Sequence, residues 1–323
     1  MRAWTVRSLG EPSTALTLDT VPDPVPGDGE VLVEVETAAL NFADVLLCRG
    51  RYQERPPLPF TPGLEVCGRV LGGPRDGERV VASTRPPQGA LAERVVVPDQ
   101  AALPVPDDMP AGEAAATVIT YRTAHTGLHR RAGLRAGETL LVHAGAGGTG
   151  SAAIQLGRAA GARVIATAGG AAKTELCRRL GADLAIDYTT EDFVPLVKEA
   201  TDGRGADVIW DPVGGDVFDR SRRCVAFEGR LVVVGFAGGR IPEVAAGHVL
   251  VKNYSVVGVH YGLYPAQDPA YVRHAHEEIV RLWRAGQVAP LIGETVTMAE
   301  VPQALERLAT RGTTGKVVVD VRG

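Results

Sequence analysis

The octapeptide HAGAGGTG (143–150) lies between the apolar run TLLV (139–142) and the Ala-rich segment SAAIQLGRAAGARV (151–164). Gly145, Gly147 and Gly150 match the pattern G-x-G-x-x-G. Three glycines alone are weak evidence, and their flanks decide the reading. The motif joins a predicted strand to a predicted helix, and a second strand, RVIATA (163–168), follows. In such a βαβ unit the first glycine permits a tight bend and the second lets backbone amides approach a pyrophosphate. The third lets helix and strand pack closely, and the helix N-terminus faces the anion. The expected cradle comprises Gly145, Gly147 and Gly150, with Gly148 and Thr149 in the same turn.

The segments around this unit repeat its alternation. Strands are predicted in TLLVHA, RVIATA, LAIDY, ADVIWDPV, RLVVVGF and YSVVGVHY. Helices are predicted in SAAIQLGRAA, KTELCRRL, EDFVPLVKEAT and DVFDRSRRCVA. Short continuous apolar runs alternating with helices indicate a parallel sheet covered on both faces, here with about six strands. Residues 1–110 differ. Runs such as EVLVEVETAAL and AERVVVP are separated by turns dense in Pro and Gly, VPDPVPGDG and PPLPFTPG, which predicts a β-rich domain. An Ala-rich helical stretch begins near 111. The tail after about 265 carries two helices, AYVRHAHEEIVRLWRAGQ and VPQALERLATRG, and a closing strand KVVVDV, and is expected to return to the first domain. The division is 1–122 with 265–323, and 123–264.

Composition narrows the class. The chain has 323 residues with 34 Lys and Arg against 38 Asp and Glu, a net charge of −4. No basic block forms a nucleic-acid footprint. No apolar run is long enough to cross a membrane, and MRAWTVRSLGEPS lacks a signal-peptide core. The four cysteines (Cys48, Cys67, Cys177, Cys224) are widely separated, which suits a reducing cytoplasm.

Cofactor choice turns on the end of the second strand. A ribose-binding acid is expected roughly 20 residues beyond the first glycine. The segment ATAGGAAK (166–173) offers none, and the first acid is Glu175. Small residues at Gly169 followed by Lys173 leave room and a positive charge for a 2′-phosphate, which points to NADPH. Tyr188, ending the next strand, is placed to cover the adenosine.

These stretches, with NFADVLLCRGRY (41–52), PFTPGLEVCGRV (59–70), DPVGGDVFD (211–219) and TTGKVVV (313–319), resemble the zinc-independent quinone oxidoreductase branch, the zeta-crystallin-like branch, of the medium-chain dehydrogenase/reductase superfamily. The resemblance runs along the chain in the expected order. It implies a GroES-like β-rich catalytic domain joined to a doubly wound Rossmann domain, with the active site in the cleft between them. The family's alanine-led glycine motif falls on Ala144, Gly147 and Gly150. Zinc-dependent relatives carry Cys-x-x-Asp and Gly-His-Glu, which supply ligands to catalytic zinc. The matching positions here are Asn41-Phe42-Ala43-Asp44 and Gly63-Leu64-Glu65, and the cysteine-rich lobe for structural zinc is absent. His274 and His276 stand two apart on a predicted helix and face different ways. No metal is expected, since catalytic zinc needs about three convergent ligands.

Without a Lewis acid the acceptor must already be electrophilic. The implied reaction is hydride transfer from NADPH to a quinone or related activated acceptor. Reduction of enal, enone or enoyl-thioester double bonds is an alternative. A non-catalytic NADPH-binding protein, like relatives recruited as crystallins or RNA binders, is a third. The resemblance places Asn41, Tyr52 and Thr123 at the nicotinamide end, the backbone of Gly235 and Phe236 at the carboxamide, and Lys316 near the phosphates or ribose. Asp211 is read as capping a turn, and His143 as a packed histidine. A homodimer paired through YSVVGVHY is expected, because an exposed apolar edge strand is a liability.

Overall fold

Two kinds of apolar run build two kinds of sheet. In the computed structural model, which describes residues 1–323, the chain begins with β1 (Arg2–Val6), β2 (Leu16–Thr20), β3 (Glu30–Ala39), β4 (Glu65–Leu71), β5 (Arg79–Ser83), β6 (Arg94–Pro98) and β7 (Leu103–Pro104). It continues through β8 (Thr139–Val142), β9 (Arg163–Ala168), β10 (Leu184–Asp187), β11 (Ala206–Asp211), β12 (Val225–Val233) and β13 (Ser255–Gly258). It ends with β14 (Ile292–Thr297) and β15 (Lys316–Asp320). Met1–Ile119, Pro265–Val280 and Pro290–Gly323 form one unit. Thr120–Tyr264 with Arg281–Ala289 form the other.

In the first unit β1 and β2 make an antiparallel pair, and seven strands make a larger sheet in the order β14-β15-β3-β4-β5-β7, with β6 also on β3. Alternation along β3 buries Val33 and Val35 against Val66, Val80, Val95 and Val317. The closing strand β15 lies antiparallel to β3, with Val318 opposite Ala39. That pairing carries Lys316, the first residue of β15, to the end of β3 that leads into Asn41.

The second unit is the expected parallel sheet, in the order β10-β9-β8-β11-β12-β13. Its central strands are buried, β8 completely and β9 and β11 at all but one residue each, as a sheet covered by helices requires. The sequence order reverses beside β8, so the connection from β8 to the helix Gly148–Ala159 lies at the topological switch point, where such sheets bind ligands. One boundary differs from the prediction. The sequence pattern extends the helix DVFDRSRRCVA through Cys224, Val225 and Ala226, but that helix ends at Ser221 and β12 begins at Val225. Glu228 there has φ +55° and the pairing with β11 shifts register, so a bulge interrupts β12 and hides its start from a periodicity argument.

The segment predicted as helical from 111 is helical throughout, but it alternates α and π turns: Ala111–Ala116, the π turn Thr117–Tyr121, Arg122–His125 and the π turn Thr126–Arg131. No helix is long and apolar enough to cross a membrane.

Candidate functional site

The glycine turn joins β8 to the helix Gly148–Ala159, with the backbone roles of its residues distributed differently from the sequence reading. Ala144, not Gly145, takes the left-handed backbone conformation, at φ 52°. Gly145 is required for packing instead: a Cβ there would sit 2.9 Å from Cys177 Sγ and 3.0 Å from both Ala166 Cβ and Ile154 Cδ1. Gly150 is the most confined, since its Cβ would lie 2.1 Å from the Ala144 carbonyl oxygen. A side chain at Gly147 would meet only that same oxygen, at 3.3 Å, so this position is open on its outer side. Gly147 is also the N-cap of the helix Gly148–Ala159. The first turn of any helix has backbone N–H groups without intrahelical acceptors, and here that turn is Gly148, Thr149 and Gly150. A pyrophosphate fits the donor set and the space that side chains would otherwise fill.

At the end of β9, Gly169 and Tyr188 come together: a Cβ on Gly169 would lie 2.8 Å from the Tyr188 hydroxyl. Tyr188 is 45% exposed and so presents its other face outward. Asp187 Oδ1 accepts the N–H of Gly170 at 2.9 Å and the Thr189 hydroxyl and N–H at 2.6 and 3.0 Å. These donors hold the Asp187 carboxyl below its ordinary pKa. Sequence reasoning missed this acid because it lies one strand further on than the family position. It shapes the Gly169–Gly170 turn, and Lys173 stands in the first turn of the helix Ala171–Leu180 that follows.

The loop after β12 is fastened to the turn after β11. Asp211 Oδ1 accepts from Val213 and Gly214 at 2.8 and 2.9 Å, which is the capping role read from the sequence. Ala237 and Gly238 then donate to the carbonyls of Pro212 and Val213. Gly235 and Phe236 are held between, with the Phe236 ring close against Gly214. His143 is buried, with Nδ1 2.9 Å from Thr167 Oγ1 and Nε2 2.8 Å from Ser221 Oγ. Burial, with a smaller contribution from Arg220, drives its pKa down to about 3. It is a packed neutral histidine. Thr123 is buried on the short helix Arg122–His125.

In the first unit the residues that match zinc-ligand positions form a hydrogen-bonded cluster. Asp44, fully buried, accepts the N–H of Asn41 through Oδ2 at 2.7 Å and that of Gly63 through Oδ1 at 3.0 Å. Burial raises its pKa to about 7 against the pull of those N–H groups and of Lys316. Asn41 donates through Nδ2 to Glu65 Oε1 at 2.8 Å and to the Ala39 carbonyl at 3.2 Å. Leu64 offers no ligand, both oxygens of Asp44 are engaged, and Glu65 faces an ammonium. No group of three or more His, Cys, Asp or Glu is arranged to hold a metal ion, and these side chains do not fit zinc. Lys316 corrects an expectation. Its ammonium donates to Leu40 O at 2.6 Å, Asn41 Oδ1 at 2.8 Å and Glu65 Oε1 at 2.6 Å. All three N–H bonds are engaged inside the unit, leaving none for a phosphate or ribose. Tyr52 is half-buried, packs against the first unit's core and has its pKa raised by burial. His276 is buried with Nε2 2.8 Å from Pro104 O, while His274 is exposed, so the pair does diverge.

Comparison with known proteins agrees with both units. Residues 27–107 match the family model described as alcohol dehydrogenase GroES-like domain, and residues 148–281 match zinc-binding dehydrogenase. The chain is 38% identical over 309 residues to quinone oxidoreductase-like protein 2 homolog of Nematostella vectensis, covering 92% of this chain and 83% of that one. It is 36% identical over 328 residues to mouse quinone oxidoreductase-like protein 2, covering 99% and 92%. The quinone oxidoreductase of Thermus thermophilus, solved also in complex with NADPH, superposes with a TM-score of 0.84 at 37% identity, covering 99% of this chain and 100% of that one. The chain therefore belongs to the quinone oxidoreductase-like branch of the medium-chain dehydrogenase/reductase superfamily, with a side-chain cluster that does not fit zinc at the positions where other branches bind it.

Proposed function

We propose that this protein is an NADPH-dependent reductase that delivers hydride to a quinone or a similarly activated acceptor. The observation that carries the reading is the pair of turns at the switch point. One leaves a helix N-terminus open beside Gly147. The other ends β9 without an acid and is followed by Lys173.

When bound, NADPH supplies the hydride from nicotinamide C4. The chain's part is to bind, orient and exclude water. Backbone N–H groups of Gly148, Thr149 and Gly150, with Ala144, Gly145 and Gly147 shaping the turn, take the pyrophosphate. Lys173 takes the 2′-phosphate beside Gly169, and Tyr188 covers the adenine. The backbone of Gly235 and Phe236 meets the carboxamide. Asn41, Tyr52 and Thr123 serve the nicotinamide end. For Asn41 the longer of its two Nδ2 bonds, to Ala39 O, is the one a substrate carbonyl would displace. The partner for the apolar edge strand β13 is a second copy of the chain.

The test is NADPH oxidation across a panel of quinones and α,β-unsaturated carbonyl compounds. Turnover of quinones is expected. Turnover of alkenones alone would replace this reading with double-bond reduction. Tight NADPH binding without turnover of any acceptor would replace it with a binding protein.

A further inference from the structure

The ammonium of Lys316 sits in a site of the kind that holds a small cation. Three oxygens converge on it from two segments that are distant in sequence, Leu40 O and Asn41 Oδ1 from one and Glu65 Oε1 from the other. The Lys316 side chain is 5% exposed and that of Glu65 is 0% exposed, so the pair is shielded from bulk solvent. Glu65 in turn has no spare oxygen. Its Oε1 also accepts from Asn41 Nδ2 at 2.8 Å, and its Oε2 accepts the backbone N–H of Ile119 at 2.6 Å. Ile119 lies in the π turn Thr117–Tyr121. A π turn displaces an N–H from the ordinary helical ladder, and an inserted side chain is one way to satisfy it.

One carboxylate thus joins the cation, the Asn41 amide and an irregular turn four residues before Thr123. The amide's orientation follows: Oδ1 must face the ammonium and Nδ2 the carboxylate, because the reverse would bring donors against Lys316. We propose that Lys316 is a built-in cation that holds this hub together and, through Glu65, acts as a positioning residue for Asn41 and for the turn leading to Thr123. It provides the positive charge at the positions where zinc-dependent relatives carry ligands to a divalent ion. The roles of Asn41 and Thr123 in turnover rest on the function proposed above, so the test includes readouts that need no turnover.

Lys316→Ala removes Cγ through Nζ, the four heavy atoms of n-propylammonium. Its melting temperature is expected to fall by several degrees, and n-propylammonium is expected to restore part of the loss. Tetramethylammonium at equal ionic strength, which has no N–H, is expected to restore nothing. Equal effects of the two salts would overturn the built-in cation. If Lys316→Ala does not fold, the double variant Lys316→Met/Glu65→Gln, which leaves no uncompensated charge, carries the test. Each single variant is expected to melt below the double variant, and additive losses would overturn the pairing.

Hydrogen exchange across residues 117–123 of the double variant reads the positioning directly. Faster exchange there is expected, and unchanged exchange would reduce Lys316 to a stabilising residue. With an accepted substrate, kcat is expected to fall roughly tenfold or more while the Kd for NADPH stays unchanged. An equal loss in both would place Lys316 with the cofactor after all. Absence of turnover in the unsubstituted protein would remove the function proposed above and leave the melting and exchange results to decide the hub.

Discussion

Asp187 accepts the N–H of Gly170 at 2.9 Å, and this bond ties the end of β10 to the turn that follows β9. The carboxylate therefore acts on the backbone of the turn, while the strand end itself carries Gly169 and no acid. Lys173, proposed above to take the 2′-phosphate, follows this turn in the first turn of the next helix. Lys173→Glu is expected to weaken NADPH by at least about tenfold more than NADH, about 1.4 kcal/mol of discrimination. Titration of cofactor fluorescence measures both constants. Equal weakening of the two would remove Lys173 from the 2′-phosphate.

The second and third glycines of the cradle predict different failures. In Gly150→Ala the new Cβ meets the Ala144 carbonyl at 2.1 Å, a backbone atom that cannot swing aside. A stability loss of about 1–3 kcal/mol is expected, as for other overpacked sites. In Gly147→Ala the contact is 3.3 Å, so the fold should lose less than about 1 kcal/mol while NADPH binding weakens. Urea unfolding beside cofactor titration separates the two. A Gly147→Ala protein that binds NADPH normally would argue against close backbone approach at that position.

Two buried groups set opposite slopes of stability with pH. His143 has a native pKa of about 3, below its ordinary 6.5, so below 6.5 the unfolded chain binds a proton that the native chain does not. Its contribution is complete above pH 6.5 and is lost as pH falls toward 3. Asp44 has a native pKa of about 7, above its ordinary 3.8, so its contribution is complete below 3.8 and is lost as pH rises through 7. His143→Asn is expected to flatten the acid side of the profile, and urea midpoints between pH 6.5 and 3 would show it. An unchanged slope would mean that some other group dominates acid unfolding.

The edge of the parallel sheet predicts an assembly. Strand β13 pairs only with β12, and Leu250 and Val251 on the neighbouring helix Ala246–Lys252 are 80% and 83% exposed. Unpaired edges with apolar surroundings favour pairing with another chain. Native mass measurement is expected to give twice the 33.9 kDa of one chain, and Val257→Lys is expected to shift the protein toward monomer. A monomeric unsubstituted protein would show that this edge is left unpaired.

What could be read in advance follows from range. The order of strands and helices and the parallel sheet rest on local periodicity, and the GroES-like assignment on the resemblance carried by motifs whose residues are neighbours in the chain; those features survive folding. That Asn41 and Leu64 stand where zinc-dependent relatives carry Cys and His was equally legible, because it is a matter of residue identity. Tertiary structure decided where pairing is long-range. Ala144 rather than Gly145 makes the left-handed bend, because the close contacts of Gly145 come from Cys177 and Ala166, on other elements. Asp187 serves a turn one strand away. Lys316, placed near the cofactor on the strength of a motif, is turned inward because β15 pairs with β3 and delivers its ammonium to Glu65, 251 residues earlier in the chain. The buried Glu65 carboxylate is met by an ammonium, and no local pattern records which lysine the fold will bring to it.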